Sequence, residues 1–312
     1  MKAMTRNDID SHLLIHIGYP KTATTWLQSR VFPIDVDGWF RLIGTRHSIL
    51  AHFVSVNGFR FDPRAARETF EPELTQVVLS GRMPVISHER LAGTAHSGGC
   101  DAQPIADRLA RTFPDARVLI VLREQTLMLA SNWHQYIREG GACSLRRYLN
   151  PPGDGRVPLF RYEQFEYDGL VRHYQQLFTP ERVCVLPFEM LARDPRRFLQ
   201  DLAMFVGAPF TPDIDYSRVY ASLSGLSLGI LRRLNYVIGR DSVNPTAPLR
   251  GHGRVGDFLA RVDRAIPHRL STLPTRMAVS RVRQMVGDRY IASNIITAQI
   301  TGLDLASYGY RC

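Results

Sequence analysis

Four cysteines in 312 residues, Cys100, Cys143, Cys184 and Cys312, are too few and too scattered for a disulfide framework, and none forms a C-x-x-C pair with zinc-ligand spacing. No cluster of candidate metal ligands stands out, so no metal is expected. The chain lacks any run approaching the ~20 apolar residues of a membrane helix. Met1 to Ser11 is polar and carries no apolar leader core, so a cytoplasmic protein without an integral membrane segment is expected. No lysine- or arginine-rich run with interleaved aromatics occurs, which argues against nucleic acid as a partner. Internal repeats and low-complexity segments are absent as well.

What is present is an ordinary globular composition, 45% hydrophobic, with a basic excess that gives a formal net charge of +10 spread along the chain. That charge suits a polyanionic small molecule as well as nucleic acid or an anionic membrane surface. The length allows one large α/β domain. The organisation expected is one domain over residues 1–312, with 209–277 as a candidate acceptor lid or insertion.

The chain is organised around Leu13 to Phe32. Leu13 to Ile17 is a short apolar run bounded by Gly18 and reads as a buried strand; a turn follows, and Ala23 to Val31 is an amphipathic helix. A strand, a tight loop bearing Lys21 and the hydroxyls of Thr22, Thr24 and Thr25, and a helix start together make an anion site. It is not a Walker A loop, because only three residues separate Gly18 from Thr22.

Further strands are expected at Met83 to Ser87, Arg117 to Arg123 and Arg182 to Leu186. Helices are expected at Pro63 to Leu79, Asp101 to Thr112, Gln125 to Arg138, Gln164 to Phe178, Arg196 to Val206 and Leu228 to Val237, with another through Asp288 to Asn294. Asp194 and Pro195 read as the cap and first residue of the Arg196 helix. Strands alternating with helices point to a central, mostly parallel sheet of four or five strands flanked by helices, with ligands at the carboxyl ends of the strands. His88 and Glu89, at such an end, are candidate general bases, and adjacent side chains point to opposite faces, so one of the two is expected to reach a substrate. Arg123 closes the cleanest strand, and Ser131 lies two turns into the helix that follows.

These residues carry a family resemblance. Tyr19-Pro20-Lys21-Thr22-Ala23-Thr24-Thr25-Trp26 resembles the 5′-phosphosulfate loop of the sulfotransferase family, usually written YPKSGTTW. That family uses 3′-phosphoadenosine 5′-phosphosulfate (PAPS) as sulfuryl donor and has a P-loop-like fold. Ala23 replaces the family's usual glycine, and a positive φ there would strain the alanine. Arg123-x7-Ser131 resembles the 3′-phosphate site, where a guanidinium fork holds phosphate.

The resemblance implies that Tyr19 to Trp26 bind the 5′ end of the donor and Arg123 and Ser131 its 3′-phosphate. Lys21 would offset charge on the bridging oxygen, and adenosine 3′,5′-bisphosphate (PAP) would be released without a metal. Glu89 followed by Arg90 is similar to the pattern of carbohydrate-modifying members, so Glu89 ranks ahead of His88 as base. The acceptor expected is a small-molecule or glycan hydroxyl, with a phenol or alkyl alcohol open; oligomeric state is not read. The Asp288-Arg289-Tyr290 and Thr301-to-Leu305 endings also resemble bacterial-type members. The alternatives are a P-loop kinase or nucleotide hydrolase, disfavoured by Arg123 where a Mg²⁺-binding aspartate is needed, and a non-catalytic basic anion or nucleic-acid binder.

Overall fold

The computed structural model describes residues 6–32, 39–153, 156–209, 223–263 and 268–312, with side chains from 8 onward and outside 268–275. Part of the candidate lid at 209–277 lies outside the described residues. Five strands form one all-parallel sheet in the order β2-β3-β1-β4-β5: β1 (Leu14–His16), β2 (Phe40–Leu42), β3 (Met83–Ser87), β4 (Arg117–Leu122) and β5 (Val183–Pro187). The apolar runs of β1, β3, β4 and β5 form these strands because both sheet faces are covered by helices. β2 is the strand the sequence pattern did not expose. Three residues, Phe-Arg-Leu, at the sheet edge are too short to establish a period.

The central strand divides the core. Leu13, Ile15 and Ile17 pack into one cluster with Phe70, Leu74, Ile105, Leu109 and Val171, while Leu14 joins the other with Trp26, Leu27, Phe32, Leu199 and Leu202. This is the two-residue alternation of a strand, with a helical layer on each side. The register Ile15↔Ile86 and Ile15↔Val118 puts the carboxyl ends of β3, β1 and β4 side by side. The chain leaving β1 turns into a helix on one face, and the chain leaving β4 into the Gln125–Arg138 helix on the other. Strand order and alternation make this a P-loop-like α/β fold, whose topological switch point, where open α/β sheets bind ligands, lies between the β1 and β4 loops.

Several helices match the sequence reading: Pro63–Leu79, Gln125–Arg138 and Pro195–Val206, the last with Asp194 Oδ1 accepting from Arg197 N at 3.0 Å. Three expectations are corrected. The first helix is an α turn at Thr24–Trp26 that continues as a π-helical turn over Leu27–Val31. The helix expected from Gln164 is a 3₁₀ turn, Tyr162–Phe165, followed by Tyr167–Phe178. The tail helix breaks after Val286, where Gly287 has φ 55, and a new one spans Ile291–Thr301. No described helix is long and apolar enough to cross a membrane.

The tail braces the exit of β4. Asn294, fully buried, exchanges hydrogen bonds with Gln125 at 2.6 and 3.3 Å and donates to Arg311 O at 2.8 Å. Glu189 Oε1 accepts from Glu124 N at 3.0 Å, and Tyr310 donates to its other oxygen at 3.1 Å. Glu124 itself caps the helix, accepting from Thr126 N and Leu127 N, each at 2.9 Å. Glu189 is therefore structural, and burial raises its pKa above the usual carboxylate range. Arg289 stacks its guanidinium 4.5 Å from the Tyr162 ring centre. Asn294→Ala leaves the Gln125 amide without its partner, so a loss of about 1–3 kcal/mol is expected. Urea denaturation checks this, and an unchanged midpoint would show that the brace carries no load.

Candidate active site

Four of the five strands each deliver one polar segment to the same edge of the sheet. β1 ends in the loop Ile17 to Ala23, β3 in His88-Glu89-Arg90, β4 in Arg123 and β5 in Phe188-Glu189. Gly18 has no alternative: a Cβ there would lie 2.6 Å from His16 Nε2 and 2.9 Å from Thr22 Oγ1. The chain turns left-handed at Lys21 (φ 70) and Ala23 (φ 62). For residues with a Cβ that conformation costs roughly 1–2 kcal/mol each, so the loop is strained at the position where the related motif has glycine. Strain held at a strand-to-helix turn marks a site where geometry outranks stability.

Lys21 is one of two lysines in the chain and the one lysine among the described residues, all other fixed positive charge being arginine. Burial, then Arg138 and Arg123, pull its ammonium down to about 8, with Glu139 acting in the opposite direction. Arg123 is buried beside it and donates from Nη1 to the Lys21 carbonyl at 2.8 Å. Its guanidinium lies 4.8 Å from the centre of the Phe188 ring, and its Nε has no protein partner. Tyr167 fixes the turn from below by donating to Arg123 O at 2.5 Å. Ser131 is half-buried on the helix that follows, on the face shared with His134 and Arg138 at helical spacing.

The remaining loop residues divide by direction. Tyr19 is fully buried, donates to Gln164 O at 2.9 Å and packs against the Phe165 and Tyr167 rings. Thr22 is buried and donates its hydroxyl to Tyr19 O at 2.5 Å, and Trp26 belongs to the core cluster beneath the loop. These three side chains shape the loop from inside. Pro20 is half-exposed and Thr25 exposed, whereas Thr24 Oγ1 is buried without a partner.

At the end of β3, His88 Nδ1 accepts from Arg90 N at 3.0 Å, which assigns the neutral ring's proton to Nε2; that atom is buried and unpartnered. Burial also pulls the His88 pKa below the usual histidine value. In this tautomer His88 offers a hydrogen bond and no free base. Glu89 is about one-third exposed, with Oε1 3.4 Å from Arg46 Nη1 and Oε2 3.5 Å from His88 Nδ1. Thr24 Oγ1, Arg123 Nε and His88 Nε2 are thus three buried polar atoms with capacity to spare on one sheet edge, a pattern that fits a polyanionic ligand.

Sequence reasoning missed His134 and Glu139. Burial, then Lys21, brings His134 down to about 4, so the ring is neutral at pH 7. It lines a cavity of about 230 Å³ with Trp133, Leu145, Arg232, Met277 and Arg281. Trp133 donates to Cys143 O at 3.2 Å. The signal for Glu139 was a carboxylate placed where a helix C-terminus disfavours one. For Lys21 it was the scarcity of lysine itself.

Residues 103–212, a segment that contains Arg123 and Ser131, match the model of the sulfotransferase family. Among solved structures, a sulfotransferase from Alicyclobacillus acidocaldarius is similar over 95% of this chain and 97% of its own, with TM-score 0.56 and 16% identity. The sulfotransferase domain from the curacin biosynthetic pathway aligns over 88% of this chain and 96% of its own, with TM-score 0.40 and 13% identity. No curated protein sequence matches the chain significantly. Over residues 103–212 the chain is thus similar to the sulfotransferase family, and its fold is that of the Alicyclobacillus acidocaldarius sulfotransferase.

Two outcomes test this geometry. Ala23→Gly relieves the left-handed strain and should stabilise the protein by about 0.5–1 kcal/mol, net of glycine's greater unfolded-state entropy; destabilisation would contradict the loop conformation. Lys21 binds its proton less tightly folded (about 8) than at its ordinary 10.5, so the unfolded chain holds more protons between those values. Stability should therefore gain a contribution as pH rises from 8 to 10.5, one that Lys21→Met abolishes. Equal pH slopes for the two proteins would overturn the burial of the ammonium.

Proposed function

We propose that the chain transfers a sulfuryl group from PAPS to an acceptor hydroxyl, releasing PAP. The observation that carries this reading is the contact between Arg123 and the Lys21 carbonyl, which joins two anion-binding segments a hundred residues apart into one cationic edge. PAPS supplies the activated sulfate. The loop's Lys21, Thr24 and Thr25 hold the 5′-phosphosulfate end. Arg123, with Nε free, and Ser131 hold the 3′-phosphate.

The Lys21 ammonium stabilises the negative charge that grows on the bridging oxygen as the sulfur–oxygen bond breaks and its electron pair leaves with PAP. The acceptor oxygen attacks sulfur from the opposite side. Glu89 takes the acceptor's proton, since His88 Nδ1 is occupied and its Nε2 donates. His88 instead offers that N–H to a sulfuryl or acceptor oxygen. The acceptor is a small molecule or a glycan, with Glu89-Arg90 pointing to carbohydrate. An arginine at the end of β4, where a kinase needs a Mg²⁺-binding aspartate, disfavours a kinase, and turnover of PAPS separates the enzyme from a simple anion binder.

Calorimetric titration of PAP, AMP and ATP with Mg²⁺ tests the donor. PAP should bind tightly without metal and AMP weakly. Arg123→Ala should reduce PAP affinity by roughly 10- to 100-fold while leaving AMP nearly unaffected. Binding of ATP with Mg²⁺ in preference to PAP would reject the reading.

A further inference from the structure

Glu139 carries the wrong charge for its place. It closes the Gln125–Arg138 helix at the carboxyl end, where the macrodipole disfavours a carboxylate. Its side chain is nonetheless held in one geometry. Gln135 Nε2 donates to Oε1 at 2.8 Å, and His96 Nε2 lies 3.0 Å from Oε2. His96 Nδ1 is 2.9 Å from the Tyr148 hydroxyl. An ionised carboxylate only accepts, so His96 carries its proton on Nε2 and takes a hydrogen bond from Tyr148 at Nδ1. These bonds hold the Glu139 carboxyl below the usual range despite partial burial.

The backbone is pinned too. Asn244 Nδ2 donates to Gly140 O at 2.9 Å, and Asn235 Nδ2 to Ile137 O and Gly141 O at 2.7 and 2.9 Å. Gly140 has φ 96, and a Cβ there would lie 2.3 Å from Gly239 O, so two backbones meet at this helix end. The carboxylate stays 42% exposed, and each oxygen retains acceptor capacity. The His96 hydrogen bond ties it to the turn Ala95–Ser97, which follows the Glu89–Ala92 segment, and its charge acts on Lys21 as that of Arg90 acts on it.

We infer that Glu139 is an acceptor-binding residue that takes hydrogen bonds from hydroxyls of a polyhydroxylated, glycan-class acceptor and holds it between Lys21 and Glu89. The inference rests on the sulfuryl-transfer reading above. A carboxylate with two partly free oxygens matches neighbouring hydroxyls, one held by Glu139 while another, attacking sulfur, gives its proton to Glu89. A phenol or simple alkanol has a single hydroxyl and cannot serve both. His96, Gln135 and Tyr148 act through Glu139 and are positioning residues.

The test uses the full chain with radiolabelled PAPS, a panel of methyl glycosides, and 2-naphthol and 1-hexanol as single-hydroxyl probes. Glycosides should be sulfated. Glu139→Gln should raise the glycoside KM about 10-fold or more with kcat changed by less than about 3-fold, and Glu139→Asp should recover part of the loss. PAP affinity in Glu139→Gln should stay equal or rise, which also reports an intact fold. His96→Gln should raise KM by a smaller factor. A glycoside KM within 2-fold of wild type in Glu139→Gln, or a wild-type enzyme that sulfates only the single-hydroxyl probes or none, overturns the inference. Failure of the wild type to bind PAP would instead reject the sulfuryl-transfer reading itself, so the two failures are distinguishable.

Discussion

A largely desolvated ammonium, with a buried guanidinium hydrogen-bonded to its own carbonyl, is the constraint on which the rest of this molecule turns. Lys21 is desolvated, with Arg123 and Arg138 beside it and Glu139 the carboxylate that acts in its favour. Such a cluster is unfavourable until an anion completes it, and burial is what makes each charge count for more than it would in water. The scaffold holds the cluster together against this repulsion. Lys21 and Ala23 accept left-handed backbone, Gly18 admits the close approach of His16, and the tail reaches back through Asn294 and Tyr310 to fix the start of the Gln125–Arg138 helix. Stability given up in the loop and cluster is recovered in a sheet whose central strand is buried on both faces.

Much of this was legible because apolar strands declare themselves. Leu13 to Ile17, Met83 to Ser87, Arg117 to Leu122 and Arg182 to Leu186 are continuous runs bounded by turn or charged residues, so the parallel sheet and its functional edge could be placed from pattern alone. Lys21 and Arg123 stood out because each follows such a run. The edge strand Phe40–Leu42 was hidden by its length. The π-helical turn at Leu27–Val31 was hidden because its apolar spacing differs little from that of an α-helix over so few residues.

Side-chain direction was the larger loss. Tyr19, Thr22 and Trp26 sit in the motif with Lys21, yet all three side chains are buried, since some positions of a strand-to-helix turn must satisfy the interior as well as the ligand. Glu139 and His96 escaped notice for the opposite reason. They meet from a helix end and a separate turn, and no local spacing relates them. The tail motif carries a family resemblance; the structure gives it a mechanical purpose, bracing the start of the Gln125–Arg138 helix through Asn294 and, by way of Glu189, Tyr310.

The central claim is that the Lys21 loop and the β4 exit form a single binding edge for one doubly phosphorylated nucleotide. A crystal structure of the protein with PAP tests it most directly. The account predicts the 5′-phosphate against Lys21, Thr24 and Thr25 and the 3′-phosphate between Arg123 and Ser131, with Arg123 Nε acquiring a partner. A nucleotide seated elsewhere, or with its 3′-phosphate away from Arg123, would contradict it.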